Sequence, residues 1–555
     1  MLINIVETAS WDTVESCYQP NSDMVMLTLL LVLLPFFAVI YLLYRWSIPN
    51  YEYFEQRKVP FIKPTIGSAW SFFSGKQHFL DAASEGYWRF PESKFSGYFT
   101  FHKPGYLIHD PELLKRILIK DFDHFTDHEN IITPEIDPFF GRSLFFTEGL
   151  RWRHGRTALS PAFTGSKMRN MFDLFTIYTA GAMKRLVEDA KGDKLEKEMK
   201  DLFQRLGNDV MTSISFGVEI DSVRDPENIF FLNGKRLTTF SRFAWLKFIL
   251  LAALPPKASS ILGLRITPRD VAEFYEKLVS QTIQEREKKK IVRPDFINIL
   301  LQARKNELKD DQPDDRFDSA GFSTVKEHLT ETEGNFIQWT DLDITATAAS
   351  FFFGGIETTT VVLCFAVYEL SLNPEIQDRL RAEIDDIEES LADGKLTYEA
   401  MQRMKYLDMV VSEALRRWPP LGLTNRKCTK DYVMENTDGS KVTVEKGQVI
   451  QFSIWAIHRD GKFYPDPLRF DPERFSEENR NNINQDAYLP FGGGPRNCVG
   501  SRLALMQAKC FLYYLLANFV VEISKRTDVP IQIDTRSIGI DATNGFWFNL
   551  IPREK

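Results

Sequence analysis

The densest set of chemistry-bearing residues is Phe491-Gly-Gly-Gly-Pro-Arg-Asn-Cys498-Val-Gly500, where small residues and one arginine crowd a single cysteine ahead of an apolar helical run. A glycine-rich turn lets backbone approach closely, and backbone N–H groups aimed at sulfur favour its thiolate form. Such a loop suits the presentation of sulfur to a metal. The segment lacks the Gly-Lys-Ser/Thr ending of a P-loop and the G-x-G-x-x-G spacing of a dinucleotide site, which argues against a phosphate cradle. An inert cysteine in a turn is the remaining alternative on these residues alone.

Three further groupings carry charge or hydroxyls at deliberate spacings. Glu413-Ala-Leu-Arg416 puts a carboxylate and a guanidinium on one helix face, as a surface ion pair also would. Gly354-Gly-Ile-Glu-Thr-Thr359 interrupts a long apolar run with two glycines and a Glu-Thr pair, poor choices if packing were the only requirement. A kinked helix with a satisfied threonine is the plainer reading of that segment. Trp152-Arg-His-Gly-Arg156 offers an indole N–H and a guanidinium, whose planar fork pairs bidentately with a carboxylate.

The elements that must position these groups are mostly helical. Helical spacing runs through Phe172–Asp189, Ala272–Lys290, Leu342–Leu372 and Tyr398–Arg417, while Tyr98–His109 reads as strand and turn. The fold class is therefore mainly α with smaller β-sheets. With 555 residues, 44% of them hydrophobic, the chain has ample length for a large core. A net charge of -8 argues against nucleic acid as a partner, since phosphates demand a basic surface. Five cysteines (Cys17, Cys364, Cys428, Cys498 and Cys510), without a C-x-x-C pair, suggest neither a disulfide framework nor a zinc site.

Met24–Tyr44 is free of charge and long enough to cross a bilayer, with a kink expected at Pro35. Four acidic residues and no basic one precede it, whereas Arg45, Arg57, Lys58 and Lys63 follow, which favours a signal anchor with the large domain on the cytoplasmic side. The organisation expected is a short tail over 1–23, a transmembrane helix over 24–44, a proline-punctuated linker over 45–60 and a catalytic domain over 61–555. Gln302–Gln338 reads as a solvated loop and Glu285–Lys290 as an exposed helix end. Phe243–Leu264, broken by Lys247 and Pro255-Pro256, is too interrupted for a second span; core burial and a shallow membrane dip both fit it.

Phe491, Gly494, Arg496, Cys498 and Gly500 fill the pattern F-x-x-G-x-R-x-C-x-G, and on it the chain resembles the cytochrome P450 family of animal microsomal type, nearest to insect members of the xenobiotic-metabolising branch. The resemblance implies haem b with Cys498 as axial ligand to iron and Phe491 in the cofactor loop. It implies that Trp152, Arg156, Arg426 and Arg496 serve the haem propionates. Thr358 would bond the activated oxygen, and Glu357 would relay protons. Glu413, Arg416 and Arg474, the last in Asp471-Pro-Glu-Arg-Phe475, would form a buried network bracing the core. That thiolate ligation favours O–O cleavage is a known property of the family rather than a deduction from these residues.

The activity so implied is a monooxygenase acting on an apolar small molecule at the endoplasmic reticulum membrane, its tail lumenal. No Rossmann or flavin fingerprint is present, so electrons are expected from NADPH–cytochrome P450 reductase, with cytochrome b5 as a further donor. A haem-thiolate isomerase or dehydratase, or a non-catalytic haem protein, is the alternative, against which the intact Glu357-Thr358 pair speaks. Phe125, Phe139, Phe140, Phe243, Leu421 and Phe546 fall in segments that resemble the family's pocket-lining regions, with core packing the safer reading for each.

Overall fold

The computed structural model describes residues 49–63, 75–100, 102–238, 254–293, 295–305, 321–325, 339–391, 393–537 and 539–554, with isolated positions at 33, 34, 37, 41, 247, 250 and 251. The longer helices are α1 (Gly149–Leu159), α2 (Gly165–Ala190), α3 (Met199–Phe216), α4 (Ile229–Thr238), α5 (Arg269–Lys289), α6 (Phe296–Arg304), α7 (Asp341–Leu372), α8 (Pro374–Ser390), α9 (Lys405–Arg417) and α10 (Ser501–Asn518). The strands are β1 (Phe95–Thr100), β2 (Lys103–Ile108), β3 (Leu195–Glu198), β4 (Leu423–Lys427), β5 (Tyr432–Glu435), β6 (Lys441–Val444), β7 (Val449–Ser453), β8 (Phe519–Ile523) and β9 (Trp547–Pro552).

Helix α7 is the axle of the molecule. A capping box starts it: the Thr340 hydroxyl accepts from Asp343 N–H while the Asp343 carboxylate accepts from Thr340 N–H, satisfying donors the helix leaves open. Helices α3, α5, α9 and α10 and strand β8 all pack against it. Among the described residues it is the one helix long and apolar enough to cross a membrane, but its apolar surface is spent on these neighbours. Helices α3 and α10 are buried on nearly every side too, the signature of a helix inside a large core.

Tyr398–Arg417, expected as one helix, is two. Met404 takes φ -74° and ψ 93°, ending the short helix Tyr398–Arg403 before α9 begins. The cause lies elsewhere in the chain: Glu383 on α8 accepts from Tyr406 N–H and Leu407 N–H, each at 2.8 Å, and so caps α9 with a carboxylate at its positive end.

The main sheet has the order β1-β2-β7-β4, with β2 and β7 parallel and the other pairs antiparallel. Its register sets Arg426 of β4 opposite Ile450 of β7, which aims that arginine inward. A second sheet, β3-β9-β8, joins the C-terminus to the core, and β5 and β6 form a hairpin.

Of the polar stretch Gln302–Gln338, read as a solvated loop, residues 306–320 and 326–338 lie outside the described residues, and Gly321–Val325 departs from that reading. Gly321–Val325 is docked on α9: Phe322 N–H donates to Asp408 Oδ2 at 2.9 Å, the Phe322 ring lies 5.0 Å from Phe475 and 5.5 Å from Tyr488, and buried Ser323 bonds Ser412 Oγ and Tyr488 OH. Gly321 has φ +134°, and a Cβ there would meet Asp408 Oδ1 at 1.8 Å, the oxygen that pairs with buried Lys509. Gly321→Ala is therefore expected to lower stability by about 2 kcal/mol, read as a drop in thermal midpoint of the haem-loaded protein. An unchanged midpoint would show that this clip contributes nothing.

Other expectations meet the fold unevenly. The span Met24–Tyr44 lies outside the described residues except for Leu33, Leu34, Phe37 and Tyr41, all exposed. Of Phe243–Leu264, residues 243–246, 248, 249, 252 and 253 lie outside them; in the described part Leu251 is buried while Ile261 and Leu262 are exposed, so the segment is core at one point and surface at another. The basic end of α5 is exposed apart from Arg286, which is buried on Asp295 at 2.6 Å. The described cysteines are all free.

Candidate active site

Cys498 lies two residues before Gly500, the cap of α10. Its loop is closed by Cys498 N–H donating to Phe491 O at 2.9 Å and Asn497 N–H donating to Gly494 O at 3.0 Å. Gly494 has φ +68°, and a Cβ there would stand 1.8 Å from Leu118 O, so no other residue fits that approach. Arg156 of α1 reaches the same loop, donating to Asn497 O at 3.0 Å and to Asn497 Oδ1 at 2.5 Å. Burial pushes the Cys498 thiol up, while the Gly500 N–H and Arg156 pull it back. Yet the residue is exposed. A side chain both deep and accessible faces open space inside the protein.

A cluster of buried cations stands beside this loop. Arg426 donates to Asn425 O at 2.8 Å, and its Nε has no partner among the described residues. Arg496 donates to Thr126 O, Thr147 O and Asp127 Oδ1, and its guanidinium carbon sits 3.9 Å from the ring centre of Trp152. Burial pulls Arg426 down to about 9, with Arg496 adding to the effect. Burial likewise brings Arg496 to about 9 although Asp127 opposes it. Against three guanidiniums here, Asp127 is the carboxylate in hydrogen-bond contact, so the site carries a positive surplus that a buried dianion would neutralise. A porphyrin with two propionates and a soft metal for Cys498 fits this donor set.

His128 belongs to the cluster and no motif announced it. Its Nδ1 lies 2.9 Å from Asn425 O and 3.4 Å from Arg426 Nη1, and burial together with Arg426 and Arg496 holds the ring well below its ordinary range.

Glu413 and Arg416 pair bidentately at 2.7 and 2.8 Å with both side chains fully buried. Asp471 N–H donates to Glu413 Oε1 at 2.9 Å, whereas Arg474 Nε stands off at 3.6 Å and Arg474 Nη2 donates to Asp466 O. The network therefore has a tight inner pair and a looser outer arginine.

His458 links this pair to the cysteine loop, again without a sequence signal. Its Nε2 accepts from Leu489 N–H at 2.9 Å, its Nδ1 lies 3.0 Å from Arg416 O, and its own carbonyl accepts from Arg416. Burial, with Arg416 nearby, lowers it to about 3. Between the ordinary value near 6.5 and that figure, the unfolded chain binds a proton that the folded chain refuses, so stability falls as pH falls through this window. Between pH 7 and pH 5 the wild type is expected to lose about 2 kcal/mol more than His458→Asn in urea unfolding. Equal losses would remove His458 from the acid sensitivity.

On α7 the two glycines of Gly354-Gly-Ile-Glu-Thr-Thr359 do different things. Gly355 admits Met211 of α3, whose Cε would stand 2.8 Å from an added Cβ, while Gly354 is exposed with nothing within 4 Å of that position. The helix is continuous here, and the Thr358 hydroxyl donates back to Gly354 O at 2.5 Å. Glu357 turns the other way and accepts from Gln204 of α3 at 2.6 Å. Of the aromatic and aliphatic residues expected near a ligand, Phe125, Phe139, Phe140 and Phe546 are buried in the core, Leu421 is exposed and Phe243 lies outside the described residues.

Fold and site together define a protein that holds haem through a cysteine thiolate. The family model described as Cytochrome P450 matches residues 92–547. The chain is 40% identical to Cytochrome P450 9e2 of Blattella germanica over 93% of its own length and 96% of the relative's. It is 38% identical to Probable cytochrome P450 9f2 of Drosophila melanogaster (92% and 97%) and 36% identical to Cytochrome P450 6k1 of Blattella germanica (82% and 84%). The chain belongs to the cytochrome P450 family: it is a haem-thiolate monooxygenase whose cofactor is haem b.

Proposed function

We propose that this monooxygenase inserts one atom of O2 into an apolar xenobiotic, insecticide or endogenous lipid at the endoplasmic reticulum membrane. Electrons come from NADPH through a separate NADPH–cytochrome P450 reductase, with cytochrome b5 as a second donor. The carrying observation is the deep but accessible Cys498 beside a surplus of buried guanidinium groups. Bound haem supplies the oxygen activation and electron transfer; the side chains supply placement and protons.

Cys498 Sγ would ligate iron, with the Gly500 N–H tuning the sulfur and Phe491 closing the loop. Arg426, Arg496 and Trp152 would hold the propionates, and Arg156 would fix the loop through Asn497. Thr358 would hold a proton at its Oγ1, and Glu357 would carry protons to it. Glu413, Arg416 and Arg474 would keep the loop's scaffold from shifting. Residues 24–44 would anchor the domain in the bilayer with its active site on the cytoplasmic face, supported by the exposed Leu33, Leu34, Phe37 and Tyr41. Exposed Ile261 and Leu262 would rest on the same surface.

Isotope labelling tests the reading. Reconstituted with reductase, NADPH and labelled O2, the full chain is expected to put one labelled atom into each molecule of an apolar product. A product formed from a peroxide without NADPH or O2 would favour the isomerase or dehydratase alternative instead.

A further inference from the structure

A small pocket lies between α3, α4 and α7, lined among others by Gln204, Asn208, Gly234, Lys235 and Glu357. Its room for solvent, about 10 Å³, is that of one water molecule. Asn208, 2% exposed, has an Oδ1 without a hydrogen-bond partner among the described residues. A Cβ on Gly234 would come within 3.0 Å of that oxygen, so glycine leaves space in front of it. Exposed Lys235 forms the outer lip. One turn before Asn208, Gln204 Nε2 donates to Glu357 Oε1 at 2.6 Å. A buried, unsatisfied acceptor facing a water-sized space beside a carboxylate is what a held water requires.

We propose that Gln204 is a positioning residue and Asn208 a water-holding one, which together make a proton-loading station for Glu357 on the side of α7 away from Thr358. This rests on the reading of Glu357 as proton relay. Adjacent helical residues lie about 100° apart, and Thr358 is committed to Gly354 O, so Glu357 and Thr358 do not meet as they stand. A water seated on Asn208 Oδ1 takes up a proton from solvent at the Lys235 lip as it passes one of its own to Glu357, so that it stays neutral. Glu357 then leaves Gln204, turns about its own side-chain torsions and gives that proton to Thr358 Oγ1 as the hydroxyl releases its original hydrogen from Gly354 O and passes it on to the oxygen being reduced, so that Glu357 returns to carboxylate and Thr358 to a neutral alcohol. Gln204 thus sets the loading position, because a hydrogen bond to a carboxylate is a strong one.

The test uses the full-length holoprotein with reductase. Gln204→Met keeps length and removes the donor; Asn208→Leu fills the water's space. In the resting protein, the Glu357 carboxylate stretching band, identified by its disappearance in Glu357→Gln, is expected to shift in Gln204→Met, which loses the amide donor, and also in Asn208→Leu, which loses the water. Both variants are expected to slow NADPH oxidation about tenfold and enlarge its solvent isotope effect. Turnover of cumene hydroperoxide, whose oxygen arrives already reduced, stays at wild-type rate and reports that the haem site is intact. An unmoved band in Gln204→Met, or unchanged kinetics in both variants, overturns the proposal. If Glu357→Gln itself leaves rate and isotope effect untouched, it is the relay reading that falls. If Glu357→Gln slows turnover while the two pocket variants do not, only the loading station does.

Discussion

Cys498→Ala, reduced and exposed to carbon monoxide, is expected to lose the strongly red-shifted Soret band of a thiolate-bound haem, and product formation is expected to fall below roughly 1% of wild type. The reasoning is comparative. Disturbing a residue that only orients a metal ligand costs about 10–100-fold, so loss of the ligand itself costs more. The control is Cys428→Ala. Cys428 is also buried, and burial raises its thiol to about 11, yet its sulfhydryl donates to Lys430 O at 2.9 Å and faces no open space. That variant keeps the band. A Cys498→Ala spectrum identical to wild type would instead return the glycine-rich loop to a purely structural role.

Glu413→Gln is expected to be nearly as damaging, through stability rather than chemistry. The substitution leaves the fully buried Arg416 without its countercharge, a change that costs about 3–5 kcal/mol when a buried pair is broken on one side. Total stabilities of about 5–15 kcal/mol cannot absorb much of that. The expected result is a low yield of haem-loaded protein and a large drop in urea midpoint. Arg474→Ala offers the contrast: at 3.6 Å from Glu413 it is a loose partner, and about 1 kcal/mol is expected to be lost. Similar midpoints for both variants would mean that the inner pair is not what holds this region.

The parts of the site that were legible in the amino-acid sequence are those whose partners are local. The cysteine loop closes on itself between Phe491 and Cys498, and Glu413 meets Arg416 one helical turn away, so their spacing carried their geometry. Arg426 and Arg496 were legible by position, through family resemblance; that they are buried beside one another, with Asp127 paired to Arg496, was not. His128, His458, Gln204 and Glu383 were missed because what makes each of them matter lies on a distant segment: Asn425, Leu489, Glu357 and the start of α9. No periodicity encodes such pairings. The same limit explains the break at Met404, where local spacing favoured a continuous helix and a carboxylate from α8 decided otherwise. The Glu-Thr pair on α7 shows a finer failure: the motif was readable, but the hydroxyl's return to Gly354 O follows from backbone geometry.

The docked segment Gly321–Val325 bears on how the protein tolerates change over evolutionary time. It splits the long connection between α6 and α7 into two shorter ones, each tethered at both ends. Within the segment, Gly321, Phe322 and Ser323 are tied to Asp408, Tyr488 and Ser412 of the core, and there a lineage has almost no latitude. A change at any one of these three residues is felt directly in the core, so a connection that lies far from the cysteine loop in sequence carries part of the constraint on α9.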